Sequence, residues 1–231
     1  LIIQSEPLIS GFIKKRYRKG FRDLKPVALI AAEFSCVIVA NDSEYKDFSD
    51  VLKAINNNLS QVPISLGGRR GMGDHLTAKM IFNAARGKEA GDLRYIFSDG
   101  GDKAAIALIK KSKNVIGVAG YNSIITEAVK NKDIRVVGIT SSKRVDGYKT
   151  LQEQGVDIEY ANWRGFFARK DISDEKFAQY LTALKTLSQS TMWHDELKAN
   201  SWIAFFKSGT ELTDFLIKHE QLVKETMQGL D

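Results

Sequence analysis

One cysteine, three histidines and three prolines in 231 residues remove several classes of protein at once. A lone thiol cannot form a disulfide within the chain, and Cys36 lies among apolar strand residues, the setting of a buried inert thiol rather than a nucleophile. None of His75, His194 and His219 has a second ligand at zinc-motif spacing, so no metal site is expected. No apolar run approaches the roughly 18 residues of a membrane span, and no basic-then-apolar leader opens the chain. No serine sits in a Gly-x-Ser-x-Gly elbow. Asp74 and His75 are neighbours about 100° apart on a helix and do not face each other, so they form no acid/base pair. The expectation is therefore no catalytic residue, no cofactor and no enzyme.

What is present is an apolar content of 43%, enough for one large α/β domain or two modest lobes. Thirty-four basic against 28 acidic side chains leave a charge of +6, compatible with nucleic acid, a membrane surface or anionic solutes. The dense cluster Lys14-Lys15-Arg16-Tyr17-Arg18-Lys19 comes without a nucleic-acid motif or stacking platform. It reads as a solvated basic face, and no nucleic-acid partner is expected.

Hydrophobic periodicity alternates between strand and helix. Strands are expected at Leu1 to Ile3, Phe34 to Ala40, Val62 to Leu66, Leu93 to Phe97, Val115 to Ala119, Ile134 to Ile139 and Trp163 to Ala168. Helices are expected after Asp47, from Leu76 to Ala85, across Ala104 to Ile109 and, after a turn at Gly120 to Asn122, from Ser123 to Lys130. From Ser173 onward the pattern is purely helical. Such alternation predicts an open α/β sheet, whose ligands gather at the carboxyl ends of strands.

The central stretch is Ser65 to His75, with glycines at 67, 68, 71 and 73 between a strand and a helix. A helix start leaves backbone N–H groups unpaired and carries the positive end of the dipole, so this geometry can hold an anion. The pattern is neither the P-loop nor the dinucleotide fingerprint, and a turn that merely reverses the chain has the same composition.

Several stretches together resemble the periplasmic solute receptors of the tripartite tricarboxylate transporters, the Bug family. They are Phe21 to Leu29, Ser43 to Phe48, Gly67 to Leu76 with its Asp-His-Leu ending, Ile134 to Arg144, Thr150-Leu151-Gln152-Glu153-Gln154-Gly155, and Asn162-Trp163-Arg164-Gly165-Phe166-Phe167-Ala168. They run in the family's order over nearly the whole chain, and the last two are the most specific. The resemblance implies an α/β, two-lobed type II periplasmic-binding fold with the first lobe incomplete, because the family's opening strand and Pro-Gly-Gly loop have no counterpart before Leu1. It places residues 1–33 with 169–231 in the first lobe, 41–161 in the second, and hinge crossings at 34–40 and 162–168.

It further implies a periplasmic, monomeric receptor that captures a small carboxylate between lobes and delivers it to the membrane components of a tripartite transporter. The loop it implies for the ligand is Gly67, Gly68, Arg69, Arg70, Gly71, Met72 and Gly73; Tyr121, Asn122 and Ser123 at a neighbouring helix start and Ser5 on the opposite lobe are candidates for the remaining contacts. Arg69 and Arg70 depart from the family's usual serine and proline, and Met72 with Gly73 from another small polar pair. Lys110 to Asn114 replaces the usual Gly-Gly-x-x-Asp. Two other readings share the pattern: a ligand-sensing effector domain of the LysR type, and an α/β enzyme acting on a phosphorylated or carboxylated substrate.

Overall fold

The computed structural model describes residues 1–58, 61–71, 73–87, 93–125 and 132–228. The chain divides into two units, one formed by residues 1–33 and 161–228, the other by 34–160.

In the first unit, β1 (Ile2–Ser5) lies antiparallel to β7 (Ala161–Ala168), with Ile2 opposite Phe167 and Ser5 opposite Arg164. β7 continues the sheet to the first half of β2 (Lys25–Ala40). That half of β2 also pairs with β8 (Ile203–Lys207), Ala32 facing Ile203. The expectation of a purely helical tail fails at this strand. Ile203 to Lys207 is a short run between two helices, and its pairing partner lies far back in the chain, at Leu29 to Ala32.

The helices of this unit are α1 (Pro7–Ile13), α6 (Asp174–Ser188), α7 (Thr191–Ala199) and α8 (Gly209–Met227). Ser173 and Ser190 cap α6 and α7 by accepting the N–H groups of Lys176 and Trp193. Phe177, Tyr180 and Leu181 of α6 pack on Val27, Ala28, Ile30 and Ala168. Leu212, Leu216, His219 and Val223 form the buried stripe of α8.

The second unit holds the second half of β2 together with β3 (Ile64–Gly67), β4 (Tyr95–Ser98), β5 (Ile116–Gly120) and β6 (Ile134–Ile139). The strands run in the order β6-β2-β5-β3-β4. β3, β4 and β5 are mutually parallel, and β2 is antiparallel to both β5 and β6. Ile64 and Leu66 of β3 are wholly buried, as expected for a central strand covered on both faces. Around the sheet stand α2 (Phe48–Asn57), capped by Asp47, α3 (Gly73–Arg86), α4 (Gly101–Lys110) and α5 (Tyr121–Ile125).

Two side chains fasten this unit's loops. Arg135 donates to the carbonyls of Asn41, Ser43 and Tyr45, which fixes the chain between β2 and α2. Gln154 donates to Val137 O and accepts the N–H of Phe48. Thr150 and Glu153 cap each other's backbone N–H groups, so the stretch Thr150 to Gly155 is a structural clip.

One sequence expectation shifts here. The helix after β5 starts at Tyr121 itself, with no turn over Gly120 to Asn122, and its expected continuation over 126–130 lies outside the described residues. Ser35 to Ala40 pair with β5 and β6, and the division into units falls between Glu33 and Phe34 and between Tyr160 and Ala161.

Candidate functional site

In the second unit the chain leaving β3 turns to β4 on one side, and the chain leaving β5 goes to β6 on the other. Their carboxyl ends sit side by side, since Leu66 is in register with Val118. Divergence of this kind opens a crevice at the strand ends, the place where open α/β sheets collect ligands. Gly67 to Gly71 leaves β3 there, and Tyr121 to Ser123 leaves β5.

The turn is built from three constraints. Gly67 ends β3 against the start of α4: a Cβ there would lie 2.4 Å from Asp102 Oδ1 and 2.7 Å from Asp102 N, so only glycine fits. Gly68 and Gly71 carry φ of +81° and +74°, the left-handed conformation that reverses the chain twice within four residues. Gly68 N–H is donated to Ser98 O at 3.0 Å, tying the turn to the end of β4.

The third constraint is His75, which the sequence reading set aside as catalytically inert. It is 1% exposed, stands edge-on to Tyr95 and Phe97, and accepts the Gly71 N–H on Nδ1 at 2.8 Å. An acceptor Nδ1 fixes the neutral tautomer with its proton on Nε2. The Gly71 N–H is thus engaged within the turn. The signal was present in the sequence as the four-residue spacing from Gly71 to His75 at a helix start.

Arg69 and Arg70 are both exposed on this turn. Arg69 Nε lies 3.7 Å from Asp99 Oδ1, with both side chains mostly in solvent, a pairing worth little and easily exchanged for another anion. The Arg70 guanidinium is 6.0 Å from the Phe97 ring centroid. Burial raises the pKa of Tyr95 beneath it, with the Arg70 charge acting in the opposite direction. Gly73 opens α3 with space, among the described residues, where a Cβ would stand, and Met72 lies outside the described residues.

At the β5 end, Tyr121 is buried and its hydroxyl donates to Asp146, a residue in the left-handed region at φ 48°. Burial first, and then that carboxylate, raise the Tyr121 pKa, so it stays a neutral donor. Ser123 Oγ donates to Asn122 Oδ1 at 3.3 Å. Ser5 stands in β1 of the other unit, opposite Arg164. The structure thus brings the glycine turn and Tyr121 to Ser123 to adjoining strand ends. The partnership of Asp146 with Tyr121 went unseen, because nothing in the sequence links positions 25 apart.

Among the described residues no group of three or more His, Cys, Asp or Glu side chains could hold a metal ion. Nor does any helix there have the length and apolarity to cross a membrane.

Replacing His75 by phenylalanine keeps the ring packing on Tyr95 and Phe97 but deletes the acceptor for Gly71. We expect a loss of about 1–2 kcal/mol in urea unfolding, with faster hydrogen exchange at the Gly71 amide. Unchanged exchange at that amide would show that the imidazole does not brace the turn.

The family model described as tripartite tricarboxylate transporter family receptor matches residues 7–228. No curated protein is similar enough in sequence to count as a match. Among solved structures, a TctC solute-binding protein from Polaromonas, without ligand, superposes with a TM-score of 0.85 at 15% identity, over 98% of this chain and 76% of that one. A Rhodopseudomonas palustris protein with adipate gives 0.64 at 16% identity, over 99% and 77% of the two chains. MatC from the same organism, with bound malate, gives 0.60 at 15%, over 99% and 76%. The fold is that of the periplasmic binding proteins. The family match spans all but the two ends of the sequence, and the chain belongs to the tripartite tricarboxylate transporter receptor family.

Proposed function

We propose that this protein is a periplasmic solute receptor that captures a small organic anion, a carboxylate, and as a monomer hands it to the membrane components of a tripartite transporter. The family is one of solute receptors rather than enzymes, and two structural relatives hold adipate and malate. The observation that carries the reading is the braced glycine turn at adjoining ends of β3 and β5, with two exposed arginines on it.

Magnitudes decide what the turn needs. A helix start contributes about 0.3–1 kcal/mol toward an anion at an exposed site, whereas micromolar binding takes roughly 8 kcal/mol. Backbone donors and dipole fall well short. A charge-assisted hydrogen bond from arginine adds about 1.5–3 kcal/mol. Arg69, whose contact with Asp99 is exposed, can turn toward a carboxylate at little cost. Tyr121, Asn122 and Ser123 offer neutral polar groups beside it. In this reading the arginines take over the work that small hydroxyl side chains do elsewhere in the family.

A thermal-shift panel of mono-, di- and tricarboxylates on the full chain, with Arg69→Ala and Arg70→Ala beside it, tests this. The expected result is stabilisation by at least one carboxylate, with affinity falling about tenfold to hundredfold in one of the variants. Equal affinity in both variants would remove the arginines from the site. A best ligand without charge would overturn the anion reading.

A further inference from the structure

Far from the glycine turn in sequence, the first unit carries a second feature. The loop after α1 holds five cations in six residues, Lys14 to Lys19 with Tyr17 among them. It is ordered by its own backbone: Lys15 adopts φ 57°, and the N–H groups of Arg16 and Tyr17 both return to Gly11 O, at 2.8 and 3.2 Å. This fold-back lays the Tyr17 ring on Gly11, where a Cβ would meet it at 2.4 Å, and Phe12 lies against Gly20 in the same manner.

Both rings nevertheless face water. Phe12 is 37% exposed and Tyr17 50%, although each is seated on a glycine that admits it. With Ile13, Lys15, Arg18 and Lys224 they line an open hollow of about 520 Å³. Of the cations, Lys224 is engaged by Glu220, which also binds Arg22. Lys15, Arg16, Arg18 and Lys19 are exposed, and among the described residues no carboxylate pairs with them.

Phe12, Tyr17 and the cations of Lys14 to Lys19 make one patch, and we propose that it docks the protein on an anionic phospholipid surface. Clustered Lys and Arg are drawn to negatively charged headgroups, and amphipathic tyrosine with an adjacent phenylalanine suits the interfacial layer. Several cations along one loop, without a fixed fork around any single carboxylate, match many mobile headgroups better than one placed acid. Docking of this kind holds a receptor at the bilayer where a transporter resides. It uses no residue of the glycine turn, so its failure leaves carboxylate capture standing, and the reverse.

The test is flotation of the full chain with vesicles of phosphatidylcholine alone and of equal parts phosphatidylcholine and phosphatidylglycerol, at low and high salt. Binding is expected only to the phosphatidylglycerol vesicles, weakening as salt is raised. The double variant Arg16→Ser/Arg18→Ser, on exposed positions, should bind about thirtyfold more weakly. Tyr17→Ser should also lose affinity, with circular dichroism reporting that the fold is kept. Equal binding to both vesicle types, or full binding by the double variant, would overturn the proposal. So would displacement by polyglutamate combined with undiminished binding of Tyr17→Ser, which would assign the patch to an acidic polypeptide instead.

Discussion

Gly67→Ala is expected to cost about 3 kcal/mol or more in urea unfolding and to abolish solute binding, whereas Gly73→Ala, six residues on, should be close to neutral. The difference lies in what the added methyl meets. At Gly67 it would lie 2.7 Å from Asp102 N and 2.9 Å from Gly101 C, backbone atoms of the α4 start that cannot rotate aside. Overpacking in a well-filled interior costs about 1–3 kcal/mol and more where backbone must move. β3 is wholly buried between two parallel neighbours, so it has little room to yield. Any shift would also pull the turn away from Ser98 O and from the start of α4. At Gly73 none of the described residues stands within 4 Å of an added Cβ, and alanine is the better helix former. Equal stability of the two variants would contradict the packing described for the β3 end.

Acid should weaken the first unit through His219. Its imidazole is almost fully buried, edge-on to Trp163 and tilted against Phe215, with Nε2 4.0 Å from Glu6 Oε1. Burial lowers its pKa from 6.5 to about 4. A histidine kept neutral in the folded state gives the unfolded chain the greater proton affinity below pH 6.5. Its contribution is therefore intact above about 6.5 and is lost progressively as pH falls toward about 4. The displacement corresponds to roughly 3 kcal/mol.

Glu6 acts in the opposite sense. Burial, opposed by the hydrogen bond from Ser10 and the charge of Lys14, raises its carboxyl above the usual 4.5. Its contribution is complete below that value and is lost as pH rises through the raised one. The two slopes oppose each other where they overlap, so the diagnostic quantity is the difference between the parent and His219→Gln. Subtracting the variant's urea-unfolding profile from the parent's should leave a rise in stability between about pH 4 and 6.5. Parallel profiles over that range would mean that His219 is not held neutral by burial.

The elements legible in the sequence were those whose signals are local. Ile134 to Ile139 emerged as the strand expected, and the glycine cluster marked the passage from β3 to α3 because chain reversal there depends on glycine itself. β8 escaped notice because a five-residue strand between helices draws its identity from β2, more than 170 residues earlier. Tyr121 was placed in a turn because Gly120 precedes it, yet Gly120 ends β5 in register with Ser35 and the helix follows at once. Of the turn proposed as the site, the position of Arg69, Arg70 and the glycines is local to the sequence, but the bond from Gly71 to His75 and the one from Tyr121 to Asp146 depend on side-chain direction. Periodicity carries no information on that.

The central claim is that the glycine turn of the second unit receives a carboxylate, and calorimetric titration tests it most directly. The full chain should be titrated with the dicarboxylate that stabilises it best and, under the same conditions, with the corresponding diamide, which has nearly the same shape and no charge. We expect binding near the micromolar range for the dicarboxylate, at least about hundredfold weaker binding for the diamide, and loss of the dicarboxylate signal in Gly67→Ala but not in Gly73→Ala. Equal affinity for dicarboxylate and diamide, or unaltered binding by Gly67→Ala, would contradict it.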